Sequence, residues 1–272
     1  MSTIEKTEAV VLRSIPFRET SKIVTFYTRR FGRLSTIVRG ARRSPGKFGS
    51  SLEPMSHDVI VVYKKEGREL QTLSQCDRIN SFRRLTEDLD RMSAGMTMIE
   101  LVWMVTREEE ENAQLFSLLT QALTAADDAT KNPFSVLYWF EVRLAKHLGF
   151  EPFFDRCAGC RKTISTENQT GGVVRFHLGR GGPLCESCPP EGGQILFLSR
   201  PVLGVLAALT RAADAEAAGG LSYDAPTRDA VHDFLQKFLR YHVPGLRPLR
   251  SEKVFSRILE VQSTPARDAQ GS

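Results

Sequence analysis

The sequence predicts an α+β, multi-domain protein in which an N-terminal five-stranded OB-fold β-barrel precedes an α-helical domain with an inserted zinc-ribbon-like module of four cysteines. Three observations support this class: an early stretch with strand periodicity, a later stretch with helical periodicity, and two CxxC pairs that interrupt the helical part. We expect the barrel over residues 1–80 and the helical domain over 81–260, with the metal module at 155–195. The tail at 261–272 is expected to be disordered.

Five β-patterned segments within the first 80 residues predict the barrel. Apolar residues alternate with polar ones in the second and third segments, and the fourth is a β-branched run. Gly32 separates the second segment from the third, and Glu66-Gly67 is a hairpin signal between the fourth and the fifth. Five short strands in about 75 residues are typical of the OB-fold, the commonest nucleic-acid-binding barrel of this size. The segments are residues 7–14, 20–28, 33–39, 59–63 and 70–76.

The apolar spacing changes to a helical period after Phe82. Spacings of three and four connect Leu89, Met92, Met96, Ile99 and Trp103. The acidic segment (residues 108–111) is expected to end this helix on the solvent side. Further helices are predicted around 115–122, from the Asn132-Pro133 cap to Gly149, from 199–201 past Leu209, and around 231–238. We expect a polar linker at 212–222.

Basic residues are concentrated in the barrel. The window 13–47 holds ten cations and one carboxylate, Glu19, whereas the whole chain has a formal net charge of +5. Such a concentration of like charge costs self-repulsion, which indicates that a polyanion binds there. Nucleic acid is favoured over an anionic membrane because the window is β-patterned and is not an amphipathic helix. The cations are Arg13, Arg18, Lys22, Arg29, Arg30, Arg33, Arg39, Arg42, Arg43 and Lys47.

Aromatic residues are interleaved with these cations. Single-stranded nucleic acid requires this combination, because cations contact phosphates and flat rings stack on bases. Two of the rings are expected to fill the barrel core. Phe17 and Phe48 adjoin loops and are the better stacking candidates. The five rings are Phe17, Phe26, Tyr27, Phe31 and Phe48.

Two CxxC pairs, Cys157/Cys160 and Cys185/Cys188, predict a metal site. Each pair forms a tight turn that directs two thiolates to one point, and two such turns complete a tetrahedral four-sulfur site for zinc. Four thiolates close the coordination shell, so we expect one structural Zn²⁺ per chain and not a catalytic ion. Two redox dithiols are the alternative interpretation, and His177, between the pairs, is the alternative ligand.

The sequence carries none of the common catalytic signatures GxxxxGK[ST], HExxH, GxSxG or GxGxxG. We therefore expect a protein without catalytic turnover. A zinc-containing DNA-processing enzyme and an RNA-binding adaptor remain as alternatives. Cys76, the fifth cysteine, is expected to be a small buried hydrophobe. The polar N-terminus has no apolar run of the signal-peptide kind, so we expect a cytoplasmic, nucleoid-associated protein.

Several longer strings carry a family resemblance. In the N-terminal part these are EAVVL, ETSKIV, YTRRFGRL, VRGARR and LEP, which begin at Glu8, Glu19, Tyr27, Val38 and Leu52. Further along they are LGFEP, the two CxxC pairs, SRP and YHVPGLRPLRS, which begin at Leu148, Cys157, Cys185, Ser199 and Tyr241. On these strings, the chain resembles the RecO family of bacterial recombination mediators over residues 5–259.

The resemblance implies an N-terminal OB-fold and a helical domain that often carries zinc. It implies binding of single- and double-stranded DNA and annealing of complementary strands. It also implies two protein partners, RecR and the acidic C-terminal tail of single-strand-binding protein. Together these would let the RecA recombinase load onto coated DNA in repair and recombination.

No motif places the site for that tail. An acidic peptide with an apolar tip requires cations around a hydrophobic groove, and the predicted C-terminal helix and the residues after it contain both residue types. The candidate residues are Phe234, Lys237, Phe238, Arg240, Arg247 and Arg250.

Overall fold

The structure is a computed structural model that describes residues 2–43, 51–128, 130–164 and 172–251. Lys47, Phe48 and the tail at 261–272 lie outside the described residues.

Five strands form the N-terminal barrel, and three further strands form a separate small sheet. The barrel order is 1-2-3-5-4, and pairing of the first strand with the fourth closes it. All barrel neighbours are antiparallel except the third and fifth strands, which pair in parallel over two residue pairs. This confirms the predicted five-stranded barrel. The strands are β1 (Ser2–Phe17), β2 (Ser21–Thr28), β3 (Gly32–Val38), β4 (His57–Lys65), β5 (Gln71–Asn80), β6 (Val173–His177), β7 (Gly182–Leu184) and β8 (Ile195–Ser199).

β1 is twice as long as the sequence pattern indicates. Its first half pairs with β4 and its second half pairs with β2, so each half has a partner that keeps it extended. The register shifts between Val11 and Arg13, which bends the strand at the point where the two pairings meet. The extension carries Glu5 along the barrel, beyond the predicted segment that holds Glu8, towards the β2–β3 turn.

The barrel encloses its own apolar core and also packs against the helices. Val24, Phe26 and Ile60 are among the fully buried interior side chains. Val10 and Tyr27 belong instead to the core shared with the helical part. Because successive strand residues point to opposite faces, neighbours such as Phe26 and Tyr27 serve the two different cores.

The helical part follows the predicted apolar stripes. Asn132 caps its helix as expected, because its side-chain oxygen accepts hydrogen bonds from the backbone N–H groups of Phe134 and Ser135. Gly149 adopts a φ of 92° just after that helix, a conformation that a side chain would strain. The helices are α1 (Arg83–Glu87), α2 (Leu89–Val105), α3 (Ala113–Asp127), α4 (Pro133–His147), α5 (Arg200–Arg211), α6 (Ala215–Gly219) and α7 (Ala225–His242).

One expectation for connecting segments is wrong and another is confirmed. The linker at 212–222 contains α6, whose Asp214 cap accepts from the Ala217 N–H. Local composition missed α6 because it is also held by a distant partner, the Asn132 N–H, which donates to the Gly219 carbonyl at 2.8 Å. The acidic segment follows the end of α2 and is exposed, as expected, although its backbone also runs beside β3, where the Glu109 N–H donates to the Arg33 carbonyl at 3.1 Å.

None of the helices within the described ranges is long and apolar enough to cross a membrane.

A buried carboxylate makes the free energy of unfolding of the barrel dependent on pH. Asp58 lies in β4 with no exposed surface. Burial raises the pKa of Asp58 to about 6, although a hydrogen bond from Ser56 and the charge of Arg78 oppose the rise. An acid whose folded pKa exceeds its unfolded value stabilises the fold below the unfolded pKa and loses that contribution as pH rises through the folded pKa.

We therefore expect Asp58→Asn to raise the free energy of unfolding at pH 8 by about 1–3 kcal/mol, since one pKa unit corresponds to about 1.4 kcal/mol. At pH 4 the gain should vanish, because the wild-type carboxyl is then largely protonated. Urea unfolding at the two pH values measures the difference, and Asp77→Asn, on the exposed face of β5, is the matched control. An equal effect of Asp58→Asn at both pH values would contradict the assignment.

Candidate nucleic-acid interface and metal centre

The β2–β3 hairpin divides the basic residues between two ends of the barrel. Lys22 pairs with Val38 at one end of the hairpin, and Thr28 pairs with Gly32 at the other. The seven residue steps from Lys22 to Arg29 span about 23 Å at about 3.3 Å per residue. The sequence window therefore does not form one continuous cluster.

One end, which we call the open basic end, gathers the β1–β2 turn and the segment after β3. The Arg42 N–H donates to the Thr20 carbonyl at 3.0 Å, and the Arg42 guanidinium donates to the Arg18 carbonyl at 3.1 Å. Lys22 pairs with Glu53 at 2.9 Å. The other arginines of this end are exposed and make no ion pair with any described residue. The open basic end comprises Arg18, Lys22, Arg39, Arg42 and Arg43.

The opposite end lies around the β2–β3 turn. We call it the paired end, because Arg29 and Arg30 there form ion pairs with carboxylates of the protein. Arg29 pairs with Glu8 at 3.4 Å, and Arg30 pairs with Glu5 at 3.1 Å. Glu8 belongs to the predicted part of β1, whereas Glu5 comes from its N-terminal extension, which the sequence pattern did not reveal.

Arg33 and Arg13 both lie against Trp103, near the end of α2. Arg33 donates to the Trp103 carbonyl at 2.8 Å and its guanidinium lies 4.7 Å from the indole centroid. Arg13, on an exposed position of β1 between the two ends, lies 5.9 Å from the same ring. The carbonyl and the ring hold Arg33 in place, so it is less free than the open-end arginines to turn towards a phosphate.

The aromatic residues also separate by position. Two rings were expected in the barrel core, and Phe26 lies there. Tyr27 is buried in the core shared with the helices instead, because it points to the opposite face of β2. Phe17 is half-buried at the open basic end, with the Arg18 guanidinium 5.3 Å from its ring. Phe31 is half-buried at the paired end. Tyr63, which the sequence did not single out, is 45% exposed on the outer face of β4.

The proposed tail-binding groove around α7 is wrong in its apolar part. Phe234 and Phe238 are fully buried and stack on each other at 5.8 Å, so neither can line a surface groove. Lys237 pairs with Asp233 one turn away, at 2.6 Å. Arg240 donates to Gln236 at 3.4 Å. The apolar stripe of α7 faces the core, as amphipathic helices usually do. Arg247 and Arg250 are exposed beyond its end.

The four predicted ligand cysteines come together. The Sγ atoms of Cys157, Cys160, Cys185 and Cys188 all lie within 4.8 Å of one another, and those of Cys160 and Cys185 are 3.7 Å apart. A tetrahedral zinc with bonds of about 2.3 Å would place its sulfur ligands about 3.8 Å apart. The residues therefore fit a zinc ion, and their spacing leaves no need for a further ligand.

Backbone groups prepare Cys157 for ionisation. Burial opposes the charge, but hydrogen bonds from the N–H groups of Cys185, Cys160 and Gly159 outweigh it and lower the Cys157 pKa to about 6. Residue 159 must be glycine, since a Cβ there would lie 2.8 Å from the Cys188 sulfur. We call the two CxxC turns, residues 157–160 and 185–188, the first and the second knuckle. The hydrogen bonds and the glycine of the first knuckle favour thiolate ligands.

Arg175, which lies in β6, holds the second knuckle, the turn of residues 185–188. Its guanidinium donates to the carbonyls of Cys185 at 2.6 Å, Glu186 at 3.2 Å and Cys188 at 3.2 Å. All three carbonyls meet one terminal nitrogen, Nη2, which fixes the loop that carries two ligands.

His177 lies outside the cysteine cluster. Its Nδ1 accepts from the Arg180 N–H at 3.2 Å, and its Nε2 lies 3.4 Å from the Glu191 carbonyl. Cys76 is buried, as expected, and its thiol lies 3.7 Å from the Ser51 carbonyl. Burial raises the pKa of Cys76, which makes it unreactive.

We expect Arg175→Met to weaken zinc retention about tenfold or more, because outer groups that orient metal ligands typically contribute 10–100-fold. Competition for zinc with a colorimetric chelator measures the effect. Arg180→Met, an exposed arginine of the same module, is the control and should behave as wild type. Equal zinc retention in the two variants would show that Arg175 does not support the knuckle.

Comparisons with known proteins cover almost the whole chain. The family model described as Recombination protein O N terminal matches residues 1–82, and Recombination protein O C terminal matches residues 86–253. A protein called DNA repair protein RecO from Salinibacter ruber is 34% identical over 256 residues, which are 94% of this chain and 95% of the relative. Similar proteins of the same name occur in Chloroherpeton thalassium, at 30% identity over 94% of this chain and 99% of the relative, and in Syntrophus aciditrophicus, at 31% over 93% and 95%.

Proposed function

Because the chain belongs to the RecO family, we propose that it binds and anneals DNA in repair and homologous recombination, without catalytic turnover. The observation that carries the DNA-binding role is the open basic end. Four exposed arginines there have no carboxylate partner among the described residues, whereas Arg29, Arg30 and Lys64 at the paired end do. Cations left unpaired at one place on a surface are available to the phosphates of a nucleic acid.

Annealing follows from the same charge. Two complementary strands repel each other through their phosphates, and bound cations release counterions and lower that repulsion. Phosphate contacts carry no base information, so strands of any sequence, single or double, can bind. Phe17 adds a ring at the same end, on which one base can stack.

The partner assignments rest on the family resemblance. We propose that the chain meets RecR and the acidic tail of single-strand-binding protein, and thereby helps RecA to load onto coated single strands. The burial of Phe234 and Phe238 means that neither ring can line a groove for the tail. The exposed cations Arg247 and Arg250 stay candidates for contact with its carboxylates. A nucleoid-associated, cytoplasmic location is part of the same proposal.

The domain division is also a proposal: a DNA-binding barrel over 1–80 and a helical domain over 81–260. The two family models, which part between residues 82 and 86, support it. The packing of Val10 and Tyr27 into the helical core indicates that the two domains stay together in function.

We propose that one zinc ion binds the four cysteines in a structural role. The sheet β7-β6-β8 packs Val174, Phe176 and Leu198 into the core of the helices, whereas the two CxxC turns have only a small core of their own, formed by Cys157, Ile164 and Leu184. A core of this size cannot order the two turns alone, so metal binding contributes folding free energy.

Chelation of the metal should therefore lower the melting temperature and expose the segments around the cysteines, 155–164 and 184–194, to protease, while the barrel stays protected. Limited proteolysis with fragment mass analysis reads this out, and added Zn²⁺ should restore resistance. An unchanged cleavage pattern after complete metal removal would rule out a structural role.

For DNA binding, we expect the triple substitution Arg39→Ala, Arg42→Ala, Arg43→Ala to weaken affinity for single-stranded DNA about 100-fold at low salt. Removing three phosphate contacts should also reduce the slope of log affinity against log salt concentration by about two, at about 0.7 per phosphate. Fluorescence anisotropy measures both quantities. The matched control is Arg29→Ala with Arg30→Ala, which removes cations of the paired end and should change affinity less than about threefold.

A loss that depended strongly on DNA sequence would contradict phosphate binding, and equal losses in the triple variant and the control would contradict the assignment to the open basic end. Incubation of labelled DNA with the protein and Mg²⁺ or Mn²⁺ tests for catalysis. Cleaved DNA would favour the DNA-processing enzyme over the annealing protein.

A further inference from the structure

The acidic segment occupies the free edge of β3 at the paired end. β3 pairs with β5 only through Thr36 and Ile37, so the beginning of β3 lacks that neighbour. The acidic segment lies there instead, with a parallel bridge between Arg33 and Glu108. A Cβ at Gly32 would lie 2.0 Å from the Glu110 carbonyl oxygen, so the close approach requires glycine, as does the φ of 60°.

The glutamate side chains reach the cations around this edge. Glu109 pairs with Lys64 at 3.3 Å, and Glu108 lies 3.5 Å from the Ser35 hydroxyl. Glu111 shares a cleft of about 450 Å³ with Arg29 and Arg30. A second cleft, of about 250 Å³, brings Glu108 and Glu109 beside two more arginines, Arg33 and Arg68.

Carboxylates balance the cations of the paired end. Its eight cations are Lys6, Arg29, Arg30, Arg33, Lys64, Lys65, Arg68 and Arg107. Its eight carboxylates are Glu5, Glu8, Glu66, Glu69, Glu108, Glu109, Glu110 and Glu111. The open basic end has five cations against Glu19 and Glu53. The acidic segment therefore supplies half of the carboxylates of the paired end, and without it that end would carry a net positive charge.

We infer that the acidic segment excludes nucleic-acid phosphates from the paired end, so that a bound strand contacts the barrel only through the open basic end. This inference rests on the proposed DNA binding. The segment covers the strand edge with its backbone and meets the surrounding cations with its carboxylates, as a polyanion would. A phosphate approaching Arg29 or Arg30 meets like charge on Glu111 and on the partners Glu5 and Glu8.

The test replaces all four glutamates, 108 to 111, by glutamine in the full chain, which keeps their size and removes their charge. The matched control removes four exposed charges elsewhere: Glu87→Gln, Glu191→Gln, Glu216→Gln and Asp233→Asn. Both variants carry the same net charge, so any general electrostatic gain is common to them. The probe is a fluorescent oligothymidine strand, titrated across a salt range of roughly 50–300 mM, over which phosphate-dominated binding changes strongly.

We expect the acidic-segment variant to bind about tenfold more tightly than the control at low salt, with a salt slope steeper by about 1–2 because two or so further phosphates are engaged. Adding Arg29→Ala and Arg30→Ala should then abolish that gain, although the same pair changes the wild type little. Such coupling shows that the arginines become phosphate ligands only once the acidic segment is neutral.

The inference fails if the acidic-segment variant and the control bind alike while the wild type still loses affinity on removal of Arg39, Arg42 and Arg43. Wild-type binding that does not respond to salt would instead refute the proposed function itself. If the fourfold variant does not fold, Glu111→Gln serves alone. This side chain makes no described hydrogen bond, and about a twofold gain over Glu191→Gln is expected. Equal binding of those two single variants would also overturn the inference.

Discussion

Repulsion among the arginines and lysines of a small barrel is the constraint on which the rest of the arrangement depends. Two like charges about 4 Å apart repel by about 1 kcal/mol even in water, so cations crowded at one end of a small barrel require carboxylates or a polyanion nearby. The long β1 brings Glu5 and Glu8 to Arg30 and Arg29, and the acidic segment comes from beyond α2. At the other end only Glu53 makes an ion pair within the described residues. The two ends of the barrel therefore differ in the fraction of their cations that carboxylates neutralise.

The barrel and its metal knuckles were predictable because their signals are local. Alternation of apolar residues sets each strand, and a CxxC turn directs its own two thiols wherever it occurs. The Asn132 cap and the Gly149 stop of α4 were likewise predictable, because each acts within one turn of helix. In each of these cases the residues that signal the structure in the sequence also make the contacts that stabilise it.

The distribution of charge was not predictable, because it depends on partners far along the chain. Nothing near Arg33 indicates that Trp103 and the acidic segment will lie beside it, seventy or more residues later. The prediction of a groove at α7 was wrong for a related reason. A stripe of Phe234 and Phe238 beside cations is equally compatible with a surface groove and with a helix face that packs into the core. Only the packing of Phe176 and Phe154 against Phe234 decides for the core.

If only the open basic end of the barrel contacts DNA, site-specific photocross-linking will distinguish the two ends. Phe17 and Phe31 are half-buried rings at opposite ends, each beside an arginine, at 5.3 and 4.9 Å. Each would be replaced in turn by a photoreactive benzoylphenylalanine and irradiated with a bound single strand. We expect cross-links from position 17 and few or none from position 31. Equal cross-linking from both positions, or cross-linking mainly from position 31, would contradict it.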